Sequence, residues 1–541
     1  FEDACLYDPA VIGNIADIDV GKFDDLRKIV GSTAAQPKIK TIDINKHGLD
    51  GAAANEAKDK KETGCERDER AETLKKRRDA AISILRGISI RMPLLIYGAD
   101  IADEDGELTI DNFTALVDDA SWQEFMPAGV TKQRFNLFRR YYDAAVFHAA
   151  GVRIRAMARS ADRMGVEQRI GRLAALFSTF RNPDKETVLT PWRVVNMHMA
   201  ETIGGWTFFD EKWQAELETP RHVTTEGDVT RRALSPESKV LEVNSKSGLY
   251  PLYVAYSIWR ARQERYEKTW GEGLTVAQQQ ELWDMTVRDN VFILCKTPMA
   301  AAITRRTLMG FRSGTAVNAV CVPGLLTRIT NNAQWLAQEM LTPKFWNKTF
   351  NDKTMKFDAV VGNPPYQVKK DDTSDMPVYH LFMNLAFMLS DFVSLITPGR
   401  FLFNAGKTPK EFNDQILNDE HFKVVRYEPN STKIFSNVDI KGGIAITLRD
   451  TKRVFGKIIC YTAHQELNGI LTKVVERPDF KSIDSLIRLQ NKFNLDALYA
   501  DHPDYKAIIG SGGREKRLTT SIFSSLDVFN INGGVRSRFA C

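Results

Sequence analysis

The sequence predicts an α/β protein built on a doubly wound, mostly parallel sheet and preceded by a helical module. Between about residues 186 and 450, short apolar runs typical of buried strands alternate with stretches of helical character, which favours parallel strands joined by crossover helices. Between residues 111 and 180, apolar side chains instead recur every three or four positions, a spacing that indicates helices. The strand-like runs are residues 239–243, 291–295, 358–361, 392–396 and 443–447.

The length of 541 residues exceeds the usual size of one hydrophobic core, so several domains are expected. Lys, Arg, Asp and Glu crowd positions 50–79, which is typical of a charged linker. An apolar run at 88–97, flanked by glycines, predicts a strand that opens a coupler-like helical region. The predicted segments are an N-terminal fragment with linker at 1–80, the coupler-like region at 81–184, the α/β domain at 185–450 and a C-terminal region at 451–541.

Composition narrows the class of protein. Hydrophobic residues at 43% and charged residues at 26% are ordinary for a globular chain, and no window reaches the roughly 18 uncharged apolar residues of a membrane helix. No export leader follows Phe1, so we expect a cytoplasmic location and a piece of a longer parent chain. The six cysteines lie far apart without a C-x-x-C pair, so neither disulfides nor a metal site is expected. The net charge of +5 permits a nucleic-acid partner without requiring one.

The strand-like run at 358–361 leads directly into Asn363-Pro364-Pro365-Tyr366. The two prolines fix φ near about −65° and offer carbonyls without competing N–H groups, so the Asn363 side-chain oxygen and the Pro364 carbonyl can accept both hydrogens of one amino group. Accepting those hydrogens raises the lone-pair density on the nitrogen and favours its attack on a methyl sulfonium without a covalent intermediate. Tyr366 offers an aromatic surface for a base that has left its helix. This motif predicts methylation of an exocyclic amine.

A second motif lies upstream, where the run at 239–243 leads into a polar loop containing Gly248 and then into a helix-like stretch. Such a loop is typical of nucleoside-cofactor sites, and it precedes Asn363 with room for two intervening strands. Ligands of doubly wound sheets bind at the carboxyl ends of the strands. We therefore expect the loops after Val243, Cys295 and Val361 to share one cleft.

Together these motifs resemble gamma-class adenine-N6 DNA methyltransferases, Taq-like in motif order, of type II and single-chain type I restriction–modification systems. The resemblance covers about 186 to 450 and includes Thr190-Pro191, which in that family lies against the methionine part of the cofactor. It implies S-adenosylmethionine as cofactor, double-stranded DNA as substrate and transfer to N6 of a flipped-out adenine. It also implies that Phe435, together with Tyr366, sandwiches the flipped base. The cofactor-binding residues implied are Thr190, Pro191, Glu242, Asn244, Lys246, Gly248, Cys295 and Asn363.

The chain departs from the family pattern at two cofactor positions. The family usually has acidic-x-x-x-Gly-x-Gly, whereas this chain has Glu242 and Gly248 with Lys246 at the first glycine. The acidic residue expected after the second strand, which would hold the ribose hydroxyls, is replaced by Cys295 and Lys296. Cofactor affinity is expected to fall as a result, although binding is still predicted.

The N-terminal part resembles the junction that precedes the methylase in single-chain helicase–methylase restriction enzymes. The run at 88–97 would then close a helicase core and residues 110–180 would be a helical coupler, so helicase and nuclease modules of the same parent chain are the expected partners. The region at 451–541 would be the start of a target-recognition domain. No Gly-x-x-x-x-Gly-Lys-Ser/Thr motif occurs, so ATP hydrolysis by this chain is not predicted.

The arginines of the helical module can be interpreted in two ways. They could contact DNA phosphates, but a solvated helix face is the favoured interpretation. These arginines are Arg153, Arg155, Arg159, Arg163, Arg169 and Arg172.

Two alternatives to an adenine methylase stay open. An Asn-Pro-Pro-Tyr site also suits the side-chain amide of a protein glutamine, although a DNA enzyme makes better use of the regions before 185 and after 450 as a second lobe. The fold could instead serve as a non-catalytic DNA-docking module of a larger restriction complex, against which Asn363 and Tyr366 argue.

Overall fold

A computed structural model of the chain describes residues 84–99, 108–127, 129–180, 189–271, 273–312, 316–346, 354–368, 375–436, 438–483 and 495–509. The chain divides into two compact units, Phe1–Ala463 and His464–Cys541. The predicted linker segment at 1–80 lies outside the described residues, as does the end of the chain from residue 510. The domain boundaries predicted from the sequence stay predictions.

The helices and strands are numbered here in chain order. The described helices are α1 (Met92–Gly98), α2 (Asp119–Phe125), α3 (Lys132–Phe138), α4 (Ala144–Ala161), α5 (Val166–Ser178), α6 (Trp192–Thr202), α7 (Val229–Ala233), α8 (Leu249–Trp270), α9 (Val276–Asn290), α10 (Pro298–Met309), α11 (Leu325–Met340), α12 (Tyr379–Leu389), α13 (Lys410–Leu417), α14 (Gln465–Val475), α15 (Leu495–Asp501) and α16 (Tyr505–Ile508). The described strands are β1 (Gly205–Phe209), β2 (Glu216–Val223), β3 (Val240–Ser245), β4 (Val291–Cys295), β5 (Asn318–Cys321), β6 (Ala359–Gly362), β7 (Gln367–Val368), β8 (Met376–Pro377), β9 (Phe392–Pro398), β10 (Phe422–Glu428) and β11 (Ile444–Asp450). Short 3₁₀ helices lie at Arg139–Tyr141, Pro343–Trp346, Gly399–Phe403 and Ser431–Lys433.

A seven-stranded sheet in the order β10-β11-β9-β6-β3-β4-β5 forms the centre of the first unit. Strands β5, β4, β3, β6 and β9 run parallel, whereas β11 runs antiparallel to both of its neighbours. The chain winds outward from β3 through β4 to β5 and then returns to the other side of β3 with β6. The boundary between β3 and β6 is therefore the topological switch point of the sheet. This architecture confirms the predicted fold class.

The central strands are mostly apolar because helices cover both faces of the sheet, and the polar end of β3, with Glu242 and Asn244, is the exception. Successive side chains of a strand point to opposite faces. Val240 packs in the core shared with α6, α8 and α10. Leu241 and Val243 pack in the core shared with α11 and α12. Glu242 alternates with these residues and so points to the same face as Val240.

The predicted strand at 88–97 is wrong. Residues 84–89 are helical, and Met92–Gly98 forms α1 with every residue buried. A short apolar run that is buried on all sides shows no polar alternation, so periodicity does not separate a buried strand from a buried helix. Pro93 was the local signal for the helix, because proline is favoured in the first turn, where its missing N–H costs no hydrogen bond.

The helical module before residue 180 packs directly against α10 of the α/β domain. Arg169 is 7% exposed and donates to the carbonyls of Leu308 and Arg306 at 3.1 and 2.9 Å. Arg306 in turn donates to the Tyr97 carbonyl of α1 at 2.7 Å. These contacts join the module and the sheet into one hydrophobic core.

The solvated face predicted for the module's arginines is therefore wrong at two positions. Arg169 is buried, as is Arg155, which donates to the Ala99 carbonyl at 3.1 Å. Helical periodicity separates apolar from polar residues, but it does not show which guanidinium finds carbonyl acceptors in the interior.

The second unit contains α14, α15 and α16 among its described residues. Leu498 and Tyr505 are buried, and the rings of His502 and Tyr505 stack with centroids 4.8 Å apart.

Gly310, which follows α10, offers a test of the contact between the module and the sheet. Its φ is +69°, and a Cβ at this position would lie 1.9 Å from Oδ1 of Asp162. That carboxylate accepts from the Phe311 backbone N–H at 2.8 Å and pairs with Arg169 at 3.3 Å. We predict that Gly310→Ala lowers the free energy of unfolding by about 2–4 kcal/mol, because Asp162 must move and both contacts are lost.

Gly271→Ala is the control for a glycine of positive φ without a close neighbour, because Gly271 has a φ of +72° and no atom within 4 Å of the position that a Cβ would take. Its ψ is 1°, whereas that of Gly310 is −150°, so part of any larger loss at Gly310 comes from the backbone. Gly271→Ala should lower the free energy of unfolding by about 1–2 kcal/mol, the cost of placing a Cβ in left-handed backbone. Urea denaturation of both variants measures the difference. Equal losses would show that the Asp162 contact contributes nothing.

Candidate active site

The turn after β6 lies at the switch point of the sheet. In the register of the sheet, Glu242 of β3 lies opposite Val361 of β6, so Gly362 and Asn363 follow directly beside the end of β3. A Cβ at Gly362 would lie 2.9 Å from the Val243 carbonyl oxygen, and its φ is +143°. Only glycine therefore lets β6 approach β3 this closely before the chain turns into Asn363.

The Asn363 side chain is held in one orientation and keeps one free acceptor. Its Nδ2 donates to Oγ1 of Thr190 at 3.0 Å. Its Oδ1 is buried and has no hydrogen-bond partner within the part of the chain that the structure describes. An unsatisfied buried acceptor costs about 1–3 kcal/mol, so this oxygen is poised to accept from a ligand. The geometry thus joins Asn363 to the Thr190 motif. The cofactor-binding roles of these residues stay predictions.

Tyr366 forms a wall of a cavity of about 460 Å³. The ring is 5% exposed, and its hydroxyl makes no hydrogen bond of normal geometry with the described residues. Burial raises its pKa above the ordinary range for a phenol, against a smaller opposing effect of the nearby Asn363 side chain. Pro364 is buried and Pro365 is half-buried beside it. The cavity is also lined by Tyr379 and, at its rim, by basic side chains; these are Arg400, Lys407 and Lys441. We call it the target cavity.

A second cavity, of about 620 Å³, is lined by Thr190, the residue to which the Asn363 side chain bonds. It is lined by Thr190 and Pro191 before α6, by Ser247 in the loop after β3, and by Ser436. The structure therefore brings the Thr190-Pro191 motif and the predicted cofactor loop to one space, which we call the cofactor cavity. Asn363 stands between the two, because it bonds to Thr190 and precedes Tyr366.

The loop after β3 packs tightly on α10. Ser245 shares a hydrogen bond of 3.0 Å with Thr304, and the Ser247 carbonyl accepts from Thr307 at 2.7 Å. A Cβ at Gly248, whose φ is +77°, would lie 3.0 Å from Thr304 Cα. Gly248 is therefore required both by its backbone conformation and by its neighbour.

Lys246, at the family's first glycine position, is half-buried and is not among the residues with positive φ. Left-handed backbone occurs instead at Asn244, near the end of β3, with a φ of +63°, and at Gly248. Asparagine adopts this conformation more readily than most residues. Both polar atoms of its amide are buried without a partner in the described structure. The backbone geometry thus places no demand for glycine at position 246.

Glu242 lies at the floor of this site. It is 6% exposed, and its Oε2 has no partner within the described residues. Burial raises the pKa of Glu242 to about 8, against a smaller opposing effect of the Ser245 hydrogen bond. A cationic ligand placed beside it would favour the ionised carboxylate.

Cys295, predicted to contact the cofactor, is fully buried at the end of β4. Burial raises the pKa of its thiol, and the nearby carboxyl groups of Glu242 and Glu124 act in the same direction. Sequence reasoning missed Glu124, which belongs to α2 of the helical module. Its Oε2 accepts from the Thr297 hydroxyl at 2.5 Å, two residues after β4 ends. A carboxylate therefore stands near the end of β4, although the chain after β4 supplies none.

Phe435, predicted to stack on the flipped base, has no exposed surface. Its backbone N–H donates to the Ser431 carbonyl at 2.8 Å, inside the turn after β10. The ring packs in the core rather than lining the target cavity, so stacking on it requires this turn to move. The stacking role stays a prediction.

Metal-binding clusters and membrane-spanning helices are both absent from the described part of the chain. No group of three or more His, Cys, Asp or Glu side chains there is arranged to hold a metal ion. None of the helices described combines the length and the apolar composition needed to cross a bilayer.

The sheet, with β11 antiparallel between β9 and β10 and a polar loop after β3, is a Rossmann-like, doubly wound α/β fold. Within it, residues 289–435 match the family model described as Eco57I restriction-modification methylase. That match spans β4, the Asn363 turn and Phe435. It confirms the predicted resemblance to restriction–modification methylases.

One curated relative and several solved structures are similar. An adenine-specific methylase of Mycoplasma pneumoniae, described as uncharacterised, is 28% identical over 99 residues, which is 17% of this chain and 24% of the relative. A type I restriction–modification methyltransferase subunit from Streptococcus thermophilus is 11% identical with a TM-score of 0.31, over 77% of this chain and 80% of that one. The DNA-bound type ISP enzyme LlaBIII is 12% identical with a TM-score of 0.33, over 82% of this chain and 34% of that one. At these TM-scores the strand order, rather than the structural matches, carries the fold assignment.

The raised pKa of Glu242 predicts how stability depends on pH. Because the folded protein holds this proton up to about pH 8 and the ordinary pKa is 4.5, the folded state binds more protons than the unfolded state between these values. Stability is therefore lost as pH rises through this window, at up to about 1.4 kcal/mol per pH unit. Glu242→Gln cannot ionise and should escape this loss.

Urea denaturation of the ligand-free wild type and Glu242→Gln at pH 5, 6.5 and 8 measures the effect, since other titrating groups cancel in the difference. The variant should gain stability relative to the wild type as pH rises. Parallel pH profiles would contradict the buried, protonated carboxyl.

Proposed function

We propose that the chain is a site-specific DNA methyltransferase of a restriction–modification system, which transfers a methyl group from S-adenosylmethionine to N6 of adenine. The observation that carries the proposal is the buried, unpartnered Oδ1 of Asn363 at the switch point, between the cofactor cavity and the target cavity. An acceptor in that position recognises a donor of two hydrogens, which is what an exocyclic amine presents.

The proposed chemistry needs no covalent enzyme intermediate. Asn363 Oδ1 and the Pro364 carbonyl accept the two N6 hydrogens, which draws lone-pair density onto the nitrogen and out of the base plane. When bound, S-adenosylmethionine supplies an electrophilic methyl group on its sulfonium. The N–C bond forms as the C–S bond breaks, and the cationic product amine then loses a proton to water. Pro364 and Pro365 fix the turn, so the acceptors are oriented before substrate arrives.

The orphaned polar atoms around the cofactor cavity support the fit of S-adenosylmethionine. Glu242 Oε2 and both polar atoms of Asn244 lack partners in the described structure, and all three lie at or just before the loop lined by Ser247. We propose that Thr190, Pro191, Glu242, Asn244 and Gly248 form the site, with Asn363 closing it.

The two positions that depart from the family pattern have more limited roles in this proposal. Lys246 would contribute from the rim of the loop, whereas Cys295, being fully buried, would shape its floor. Glu124, held by Thr297, would supply near the end of β4 the carboxylate that the local sequence lacks.

The rim of the target cavity supports DNA as the substrate. Arg400, Lys407 and Lys441 line this cavity and outnumber its two acidic residues, Asp375 and Asp439. The cations would hold the phosphates of the strand that carries the flipped adenine. Tyr366, in the wall, would stack on the base. A neutral glutamine amide has no need of such a rim, and a docking module has no need of unsatisfied acceptors at its centre. These observations favour the DNA enzyme over both alternatives.

The wider assignments belong to the same proposal. Residues 81–184 would couple the methylase to helicase and nuclease modules of a longer parent chain, and 451–541 would begin the target-recognition domain. A cytoplasmic location is part of the proposal, since that is where the DNA substrate would lie.

The central test is methyl transfer with Asn363→Ala. The wild type, incubated with radiolabelled S-adenosylmethionine and mixed genomic DNA, should yield N6-methyladenine after digestion to nucleosides. Asn363→Ala should reduce the label by at least about 100-fold, the usual cost of one such acceptor or donor at a reacting centre, while calorimetry still detects cofactor binding.

Asn413→Ala is the matched control, because Asn413 also has a buried Oδ1 without a partner in the described structure but lies in α13, where its Nδ2 donates to Asn404 Oδ1 at 3.0 Å and not to a residue of the cofactor cavity. It should keep the methylation rate. Label on cytosine or protein, or full activity of Asn363→Ala, would refute the assignment.

A further inference from the structure

A third cavity, of about 530 Å³, lies at the amino ends of the central strands. It is lined by Lys239, which directly precedes β3, and by Asn290, the last residue of α9 before β4. The candidate active site lies at the carboxyl ends of the same strands, and the 6 residues of β3 span about 20 Å. This cavity is therefore separate from the target cavity and the cofactor cavity. We call it the amino-end cavity.

One face of α8 forms the long side of the amino-end cavity. Its lining residues recur every three or four positions, so they lie on one side of the helix. They extend from Arg262 to Trp270, which is about 12 Å along the helix axis at roughly 1.5 Å per residue. These residues are Arg262, Arg265, Tyr266, Thr269 and Trp270. The helix thus joins a cationic end of the cavity to an aromatic end.

The cationic end contains Arg262 and Lys239. Arg262 Nη2 donates to the Pro236 carbonyl and to Asn290 Oδ1, both at 2.9 Å, and both acceptors are neutral. The buried Nε of Arg262 has no hydrogen-bond partner within the described residues. Among those residues, no carboxylate lies within ion-pair distance of Arg262 or Lys239. An anion is the ligand that such a pair of cations recognises.

The two carboxylates of the cavity are already engaged by other arginines. Arg265 donates to both carboxylate oxygens of Glu237, and Arg288 donates to those of Asp289 at 2.8 and 3.0 Å. Burial lowers the pKa of the Arg262 guanidinium, against smaller opposing effects of Asp289 and Glu237. The three cations that line the cavity outnumber its two carboxylates, so the end near Arg262 keeps an excess of positive charge.

The aromatic end is open to solvent. The Trp270 side chain is 69% exposed, and the Tyr266 ring lies beside it with centroids 6.3 Å apart. Exposure of so large an apolar side chain is unusual in a stable fold, because burying it would remove apolar surface from water. An exposed indole offers a flat surface on which any nucleic-acid base can stack.

We propose that the amino-end cavity binds a nucleotide, with its phosphate against Lys239 and Arg262 and its base stacked on Trp270. The two cations supply charge-assisted hydrogen bonds to the phosphate oxygens, and the indole supplies a contact that does not depend on the identity of the base. The volume lies within the usual range of small-ligand sites, about 300–1,000 Å³. The proposal does not depend on methyl transfer, because none of these residues belongs to the candidate active site.

The nucleotide is either free or one unit of a single strand, and the chemistry at the site is the same. Thymidine monophosphate and a single strand of about eight thymidine nucleotides distinguish these sources. Thymine has no exocyclic amine, so the acceptors proposed for the target cavity do not select it. Calorimetry with the full chain, at saturating S-adenosylmethionine, gives the dissociation constant of each probe. A strand that binds at least about tenfold tighter identifies a strand as the source, and a smaller difference identifies a free nucleotide.

Trp270→Ala tests the stacking. We expect it to raise the dissociation constant of the bound probe by about tenfold or more, because one stacked base is lost. Trp335→Ala is the matched control, because Trp335 is 51% exposed but lies in α11, outside the amino-end cavity. Its variant should bind as the wild type does. Both replaced side chains are exposed, so both variants should unfold at the wild-type urea concentration.

Lys239→Gln tests the phosphate contact. For the strand, the slope of the logarithm of affinity against the logarithm of salt concentration should become shallower by about 0.7, the contribution of one phosphate on a single strand. For thymidine monophosphate, affinity should fall and its salt dependence should weaken. Lys268→Gln is the matched control, because Lys268 is an exposed residue of α8 that does not line the cavity. Its variant should keep the wild-type slope.

Photo-crosslinking locates the base directly. With 5-bromouracil in place of thymine in either probe, ultraviolet light should attach the base to the peptide that contains Trp270, as identified by mass spectrometry.

The absence of binding by both probes overturns the proposal, and the exposed Trp270 would then be assigned to a contact with a protein. Unchanged affinity in Trp270→Ala overturns it, as does an unchanged salt dependence in Lys239→Gln. Cross-links confined to peptides of the target cavity contradict it as well.

Discussion

The close approach of two parallel strands at the switch point is the constraint on which the site depends. Strand β6 can lie against β3 only because Gly362 leaves the Val243 carbonyl uncovered. That approach places Glu242 opposite Val361, two residues before Asn363, at the carboxyl edge of the sheet. The crossover helices then bring Thr190 and Tyr250 to the same edge from one face. The target cavity, the cofactor cavity and the loops that line them are arranged around β3 and β6.

Unsatisfied polar groups gather at this edge, although buried polar groups are normally hydrogen-bonded. Glu242, Asn244, Asn363 and Tyr366 each keep at least one buried atom without a partner among the described residues. Each such atom lowers the stability of the ligand-free fold, whereas the surrounding apolar strands and helices raise it. A ligand that satisfies these atoms regains that free energy on binding. The unpartnered polar atoms thus lower the stability of the ligand-free fold at the candidate active site, and the apolar packing around the site compensates for that loss.

The strands and the chemistry-bearing turn were predictable because their signals are local. The runs at 291–295 and 392–396 lie within β4 and β9, and Asn363 occupies the turn that its prolines indicated. The burial of Arg169 and the place of Glu124 were not predictable, because each depends on a partner more than a hundred residues away. Local patterns carry no information on such pairs.

The contrast between a sequence pattern and a structural requirement also explains why Lys246 is tolerated where the family usually has glycine. A family pattern records which positions usually carry glycine, but the physical requirement is a left-handed backbone somewhere in the loop. In this chain Asn244 adopts that conformation two residues earlier, so Lys246 keeps ordinary dihedral angles and its side chain is tolerated. Gly248 cannot be replaced in this way, because Thr304 and Thr307 leave no room for a Cβ. The loop thus keeps Gly248, which packing requires, and has its other left-handed residue at Asn244 instead of at position 246.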